Sequence, residues 1–455
     1  MEQTFPVPSL LKEISNYFRH AGFSAYLVGG AVRDFFLKKE ASDWDIATDA
    51  QPQDVMRLFR RTIPTGIEHG TVTIIYKNQH IECTTFRTES DYTDGRHPTA
   101  VSYTATIEAD LARRDFTMNA IAVSLPDGTI VDPFGGRTDI RAKRIQTVGT
   151  PLDRFLEDGL RPVRAIRFAA QLGFTIDKGT LDAIPQALHI TQKISIERFR
   201  EEFTKMLSCS IPLTGLRLME STGLLKLFIP ELMECRGVGQ GSYHHFDVLD
   251  HSFLVCNACP VGMEHIHIRL AGLFHDIGKP TVRKEAEDGS CTFYRHEAVS
   301  EKMTRSIMRR LKYSNAEIEK TAHLVAEHMF HYDPSWTDAA VRRFIVRVGK
   351  ENIDDLFALR KADVFGLTGA YAEPNFLLEF MARIDTMLQE EGAYSLKDLA
   401  VNGKDLMASG IPAGKCLGLI LHDLLETVLD DPAQNTKEAL LPIASALYER
   451  IQRFQ

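Results

Sequence analysis

Tyr26-Leu27-Val28-Gly29-Gly30-Ala31-Val32-Arg33-Asp34, with Asp43-Trp44-Asp45 a short interval later, is the stretch that decides how this sequence is read. The apolar run Ala25 to Val28 predicts a strand that enters a glycine pair where a helix begins. Glycines there let backbone N–H groups approach an anion, a helix N-terminus favours negative charge, and Arg33 can grip phosphate oxygens. Asp43 and Asp45 stand at i and i+2, which on a strand places both on one face. Two adjacent carboxylates repel unless a cation offsets them, and Mg²⁺ prefers hard oxygen ligands. Thr71–Tyr76 and Ile81–Phe86 read as a hairpin split by Lys77-Asn78-Gln79, and Glu82 on it is the candidate third carboxylate. Taken singly, the glycine pair is also readable as a plain tight turn, the acidic pair as an exposed strand end, and Glu82 as a solvent-facing residue. Together they fit metal-assisted nucleotidyl transfer.

The chain around this stretch has 455 residues, is 44% hydrophobic and 25% charged, and allows two to four domains with their own cores. Its 53 Lys and Arg against 61 Asp and Glu leave a net charge of −8, which excludes a wholly basic nucleic-acid coat protein but not a local basic groove. No run approaches the roughly 20 apolar residues of a membrane helix. Met1-Glu2-Gln3-Thr4 lacks the features of a secretory signal, and seven scattered Cys make no disulfide framework, so a cytoplasmic protein is expected. Cys256 and Cys259 form a C-x-x-C without a second pair and are read as packing residues. Helical spacing of Leu11, Ile14 and Phe18 ends at Gly22, and the alternation of helix and strand lasts about as far as residue 150. From Arg154 onward the pattern is helical, with breaks near Gly237–Gly241, Asp288–Gly289 and Pro374.

The first stretches resemble the bacterial-type (class II) tRNA nucleotidyltransferases and their relatives, the bacterial poly(A) polymerases. The likeness continues through His69-Gly70-Thr71, Phe86-Arg87-Thr88-Glu89, Asp94-Gly95-Arg96-His97-Pro98, Arg113-Arg114-Asp115-Phe116-Thr117-Met118-Asn119-Ala120 and Asp132-Pro133-Phe134-Gly135-Gly136. It implies that Asp43 and Asp45 hold catalytic Mg²⁺ ions, that Gly30 and Arg33 contact the triphosphate, and that Arg114 binds nucleotide and Asp115 the ribose. Relatives restricted to CC addition tend to lack the block around Arg96-His97-Pro98. Its presence argues against a CC-only enzyme and leaves both full CCA addition and addition of the terminal A alone open.

Residues 141–167 carry seven basic side chains against three acidic ones, a basic stripe in an acidic chain that marks where polyphosphate or RNA should lie. Within it Asp158 and Arg161 are three apart, which predicts one helix face. An Asp accepts hydrogen bonds and an Arg donates a fork of them, so the two could read a base edge or simply pair with each other. The resemblance implies that they act as an amino-acid template for CTP and ATP, with Arg164 and Arg167 also facing the nucleotide. Gly159 departs from the family's pattern, where Pro is expected. Ile194-Ser195-Ile196-Glu197-Arg198-Phe199 looks like a further family block and is read as structural.

Further on, His251, His275-Asp276, His296, His328 and Asp363 follow in an order similar to the HD family of metal-dependent phosphohydrolases. That resemblance implies core metal ligands at His251, His275, Asp276 and Asp363, with His296 and His328 adding ligands or a second metal. Mg, Mn, Ni or Fe would suit the site. Val401-Asn402-Gly403-Lys404-Asp405-Leu406 through Lys437 resembles the C-terminal region with which the family grips tRNA.

The expected architecture is an α+β nucleotidyltransferase head, a mixed sheet with helices, followed by an all-helical neck, an HD-like body and a tail. The expected boundaries are 1–147 for the head, 148–235 for the nucleotide-selecting, RNA-binding neck, 236–385 for the HD-like body and 386–455 for the tRNA-binding tail. The expected function is template-independent addition of CCA, or its terminal A, to tRNA from CTP and ATP. The alternatives are a poly(A) polymerase and an HD-type phosphohydrolase acting on RNA 3′ ends.

Overall fold

The computed structural model describes residues 4–40, 43–92, 98–241, 245–287, 290–370, 375–389 and 394–453. The chain falls into two units: residues 1–234 with 261–266 and 307–313, and residues 235–260 with 267–306 and 314–455.

In the first unit, α1 (Ser9–His20) buries Leu11, Ile14 and Phe18 along one stripe, as their spacing predicts. Among the described residues, nine strands follow before residue 132: β1 (Ala25–Val28), β2 (Trp44–Thr48), β3 (Thr62–Gly66), β4 (Thr71–Tyr76), β5 (Gln79–Thr85), β6 (Arg87–Tyr92), β7 (Pro98–Tyr103), β8 (Ala122–Ser124) and β9 (Ile130–Val131). Seven of them form one sheet in the order β3-β4-β5-β2-β1-β8-β9, and β6 pairs with β7. β1 is antiparallel to β2 and β8, whereas β2 runs parallel to β5, so the sheet is mixed. The expected hairpin is β4–β5. Lys77 and Asn78 at its tip both take positive φ, 49° and 61°, the backbone that a two-residue type I′ connection needs.

Register carries the consequence for function. Asp45 lies opposite Val28 on one side and Glu82 on the other, so two carboxylates 37 residues apart in sequence become direct neighbours on one face. β2 starts at Trp44, so Asp43 immediately precedes the strand rather than lying within it.

Two expectations about the neck are corrected. Strands do not disappear after Arg154: Thr175–Ile176 pairs in parallel with Arg144–Ile145, and Lys284–Glu285 pairs with Cys291–Thr292. Two-residue strands are too short to leave a periodic signature. Asp158 and Arg161 do not share a helix face either. One helix, Pro151–Glu157, ends before Asp158, whose backbone is extended (φ −137°, ψ 109°), and the next is Arg161–Leu172. A helix continuous through both would set the Pro162 ring against the Asp158 carbonyl and lose a backbone bond, so Pro162 is tolerated only in a first turn. The break brings Gly159 against the chain at Ile190, where a Cβ would lie 2.8 Å from the Ile190 carbonyl oxygen. Glycine, not proline, fits there.

Among its described residues, the second unit is helical apart from one short strand pair. Phe330, Phe344 and Phe357 pack around Phe380, which is fully buried and stacked on Tyr332 with ring centroids 4.1 Å apart. Cys256 and Cys259 are both buried, in keeping with their reading as packing residues. The boundary expected between 385 and 386 falls inside the helix Asn375–Gln389, and a separate apolar core in this unit runs from Leu399 to Ala444. The break at Gly237–Gly241 lies outside any helix or strand, whereas Asp288–Gly289, Pro374 and the Asp94–His97 stretch lie outside the described residues. Among the described residues, no helix is long and apolar enough to cross a membrane.

Candidate active site and second metal centre

At the end of β1, Gly29 takes φ +75° and opens the helix α2 (Gly30–Phe36). A Cβ there would lie 2.9 Å from Asp45 Oδ2 and 3.6 Å from Arg114 Nη1, so this corner must be glycine on both backbone and spatial grounds. The glycine turn, the strand carboxylate and an arginine thus converge. Burial pushes the Asp45 carboxyl up, the Glu82 charge adds to this, Arg114 opposes it and Asp43 adds again, and the group stands at about 6. A carboxyl crowded by two others fits a divalent cation better than an isolated charge. Asp110, buried, accepts from Arg113 Nε at 2.9 Å and from Arg114 Nη2 at 3.3 Å, which fixes the arginine beside the carboxylates.

A second group of predicted residues forms a continuous relay. Arg33 donates to Asn119 Oδ1 (3.0 Å), and Asn119 Nδ2 donates to Asp115 Oδ1 (3.0 Å). Arg164 Nε donates to Asp115 Oδ2 (2.8 Å), and its Nη1 reaches Glu202, which takes Arg167 Nε at 2.7 Å. The Phe168 ring serves three of these guanidiniums, with Arg167 3.4 Å, Arg33 5.1 Å and Arg164 5.4 Å from its centroid. Arg164 and Arg167 are therefore held by buried acids and a ring. Burial opposes ionisation of Asp115, but the Arg164 charge outweighs it with the help of hydrogen bonds from Asn119 and Arg164 and the Arg161 charge, and the carboxyl stands at about 2. Because this value is below the ordinary carboxylate range, the relay contributes stability above about pH 4 that is lost as pH falls through 2. The contribution is roughly 2 kcal/mol. Asp115→Asn is expected to remove that amount at pH 7 and almost none at pH 2, read from urea midpoints at the two pH values.

Asp158 and Arg161 have separate partners. Asp158 receives a two-pronged bond from Arg198, Nη1 at 3.1 Å and Nη2 at 2.8 Å, and the Leu160 N–H at 3.0 Å. Arg161 donates to Glu157 (2.5 Å) and to the carbonyls of Arg154 (2.8 Å) and Arg113 (2.9 Å). Arg198, Glu202, Asn119 and Asp110 are the supporting residues that sequence reasoning missed. Asn119 and Arg198 lie inside the family-like stretches 113–120 and 194–199, but no spacing rule links either to a partner 40 or more residues away.

In the second unit all six His and Asp residues come together, mostly buried. His251, His275 and Asp363 form one set: His251 Nε2 lies 3.1 Å from His275 Nε2 and 3.1 Å from Asp363 Oδ1. Asp276 joins both halves of the cluster. Its Oδ2 lies 3.2 Å from His275 and 3.5 Å from His251, and its Oδ1 lies 3.1 Å from His296 and 3.8 Å from His328. The rings are aimed by their other nitrogens: the Nδ1 atoms of His275, His296 and His328 sit 2.9, 2.9 and 2.7 Å from the carbonyls of Gly272, Phe293 and Val325. Such backbone bonds fix the tautomer that leaves Nε2 free to ligate. The charges match a cation. Burial opposes a charged His275, yet Asp276 and Asp363 hold it up at about 10, while burial and the neighbouring His275 hold His328 down at about 3, a neutral donor. Imidazole nitrogens with carboxylate oxygens suit a first-row divalent metal.

Comparison with known proteins follows the same division. Residues 25–146 match the family described as Poly A polymerase head domain, 173–235 the probable RNA and SrmB-binding site of polymerase A, and 287–444 the putative tRNA nucleotidyltransferase domain 2. The CCA-adding enzyme of Levilactobacillus brevis is 34% identical over 427 residues, covering 92% of this chain and 93% of that protein. That of Bacillus subtilis is 51% identical over 187 residues, 41% of this chain and 47% of its own. The crystal structure of the Bacillus stearothermophilus CCA-adding enzyme in complex with CTP superposes with a TM-score of 0.72 at 30% identity, covering 98% of this chain and 97% of that one. The Thermotoga maritima CCA-adding enzyme complexed with tRNA shares the fold at 19% identity and a TM-score of 0.57, over 98% and 97% of the two chains.

Proposed function

The chain belongs to the CCA-adding enzymes, and from that premise we propose that it completes the 3′ end of tRNA with CCA from CTP and ATP, without a nucleic-acid template, in the cytoplasm. The observation that carries the proposal is the convergence of Gly29, Asp45 and Arg114, with Glu82 in register beside Asp45. Likeness to CCA-adding enzymes over nearly the whole chain favours this over poly(A) polymerase.

Asp43 and Asp45, with Glu82 beside them, would hold Mg²⁺, which when bound supplies the positive charge that activates the RNA 3′-hydroxyl and offsets the leaving pyrophosphate. The chain's own groups do the rest. The Gly29-Gly30 turn receives the triphosphate with backbone N–H groups, and Arg33 and Arg114 neutralise it. Asp158 and Arg161 would offer an acceptor and a donor fork to the base by exchanging their contacts with Arg198 and with Glu157 and the Arg113 carbonyl for its edge. We assign catalysis to residues 1–147, base selection to 148–235, the second metal centre to 236–385 and the grip on tRNA to 386–455.

Base selection is tested by Asp158→Ala. The loss of one good base contact is worth about 1–3 kcal/mol. The variant is therefore expected to lower kcat/KM for CTP and ATP by about 10- to 100-fold and to admit GTP and UTP, with the affinity for tRNA kept. An unchanged nucleotide preference would remove Asp158 from base reading.

A second activity is favoured by the six-residue cluster of the second unit. His251, His275, Asp276, His296, His328 and Asp363 would hold one or two divalent ions (Mg, Mn, Ni or Fe), which supply an activated water when bound. The reaction is hydrolysis of a phosphoester. A bond forms between phosphorus and the water oxygen, the bond from phosphorus to the alcohol oxygen breaks, and the water's proton ends on that alcohol.

A further inference from the structure

Over the His–Asp cluster lies a cavity of about 620 Å³, large enough for a nucleotide-sized ligand. Tyr294, Arg295 and Arg360 are among the lining residues that lie outside the ligand set. Tyr294 stands two residues before the helix His296–Arg310 and is 79% exposed, more than any other large hydrophobic residue among those described. An aromatic ring left in water at a cavity mouth gains by stacking on another flat π surface. Arg295 is exposed, has no hydrogen-bond or ion-pair partner among the described residues, and takes φ +60°, a backbone that an arginine adopts only at some energetic cost. Arg360 donates Nη1 to Asp363 Oδ2 at 2.7 Å, while its Nε is buried without a hydrogen-bond partner. Lys279, the other cation of the cavity, is taken up by Asp276 (2.6 Å) and Gln240 (2.5 Å).

Unused guanidinium donors beside a metal-ligand cluster suit phosphoryl oxygens, and an exposed ring next to them suits a base. We propose that this rim recognises a nucleoside phosphate: Arg295 and Arg360 take the phosphoryl oxygens, and Tyr294 stacks on the base. Arg360 is at the same time a positioning residue for Asp363. The proposal rests on the phosphoester-hydrolase reading of the cluster. A free mononucleotide and the 3′-phosphorylated end of an RNA strand offer the same chemistry.

The test uses the full-length protein loaded with Co²⁺, whose visible absorption reports imidazole coordination in this centre. Adenosine 3′-monophosphate, glycerol 2-phosphate and a short RNA ending in a 3′-phosphate are titrated against the bands, and phosphate release is followed on the same samples. The nucleotide is expected to perturb the bands at a concentration about tenfold below that of glycerol 2-phosphate. Tyr294→Ala should abolish that advantage and leave glycerol 2-phosphate unchanged, while Tyr294→Phe keeps it. Arg295→Ala and Arg360→Gln should weaken all three ligands about tenfold, with Arg360→Lys recovering part. Tighter binding of the RNA than of the mononucleotide supports the proposal with the strand end as source, and equal binding supports it with the mononucleotide. Equal response to nucleotide and glycerol 2-phosphate, or indifference to Tyr294→Ala, overturns the rim even where hydrolysis is seen. Selective binding without phosphate release keeps the rim and overturns the hydrolase reading. Absence of bands that His275→Ala removes overturns both.

Discussion

Asp45→Asn is expected to lower nucleotide incorporation by about 10³-fold or more, equivalent to roughly 4 kcal/mol of transition-state stabilisation. The substitution preserves shape, so the sheet and the Gly29 corner should stand while the charge proposed to hold the cation is lost. Asp45 occupies the position where that charge matters most, opposite Val28 at the mouth of the glycine turn and in register with Glu82. The carboxyl stands at about 6, raised by burial and by Glu82 and Asp43 against the pull of Arg114, so the asparagine removes one of several mutually repelling charges. The variant should therefore fold at least as stably as the parent in the absence of Mg²⁺, and its affinity for tRNA should be unchanged. Incorporation of labelled CTP and ATP into tRNA, alongside a thermal midpoint, separates this from unfolding. Retention of more than a tenth of the activity would place catalysis elsewhere.

Asp276→Asn should have the second largest effect, confined to the other unit. One carboxylate faces His251 and His275 with Oδ2 and His296 and His328 with Oδ1, so the substitution weakens both halves of the cluster at once. Loss of an anionic ligand from a buried site is expected to cut metal affinity by about 10- to 100-fold or more, since even outer partners of metal ligands cost that much when removed. Metal content after dialysis should fall from one or two ions in this centre towards none, and phosphoester hydrolysis should disappear. CCA addition should continue, because Asp45, Glu82 and Arg114, the residues proposed to carry it, belong to the first unit. Simultaneous loss of both activities would refute the separation.

The glycine-pair stretch and the periodicities around it made much of this legible. The strand Ala25–Val28, the helix it feeds and the hairpin at Thr71 follow from local chemistry, and the structure places them where the spacing does. The six His and Asp positions that the structure brings together were also readable, because their order along the chain resembles a known family. What the sequence hid was pairing at a distance. Glu82 beside Asp45 depends on sheet register, and Arg198 on Asp158 depends on a helix 40 residues away. The neck misled for a definite reason: an i, i+3 spacing implies a shared face only inside one helix, and Pro162 ends that condition.

Extension of three tRNAs, ending at the discriminator base, at C and at CC, with labelled CTP, ATP or both, tests the central claim most directly. Completion of all three to CCA followed by arrest is the predicted result. Long A tails on any RNA, or no incorporation into any of the three, would contradict it.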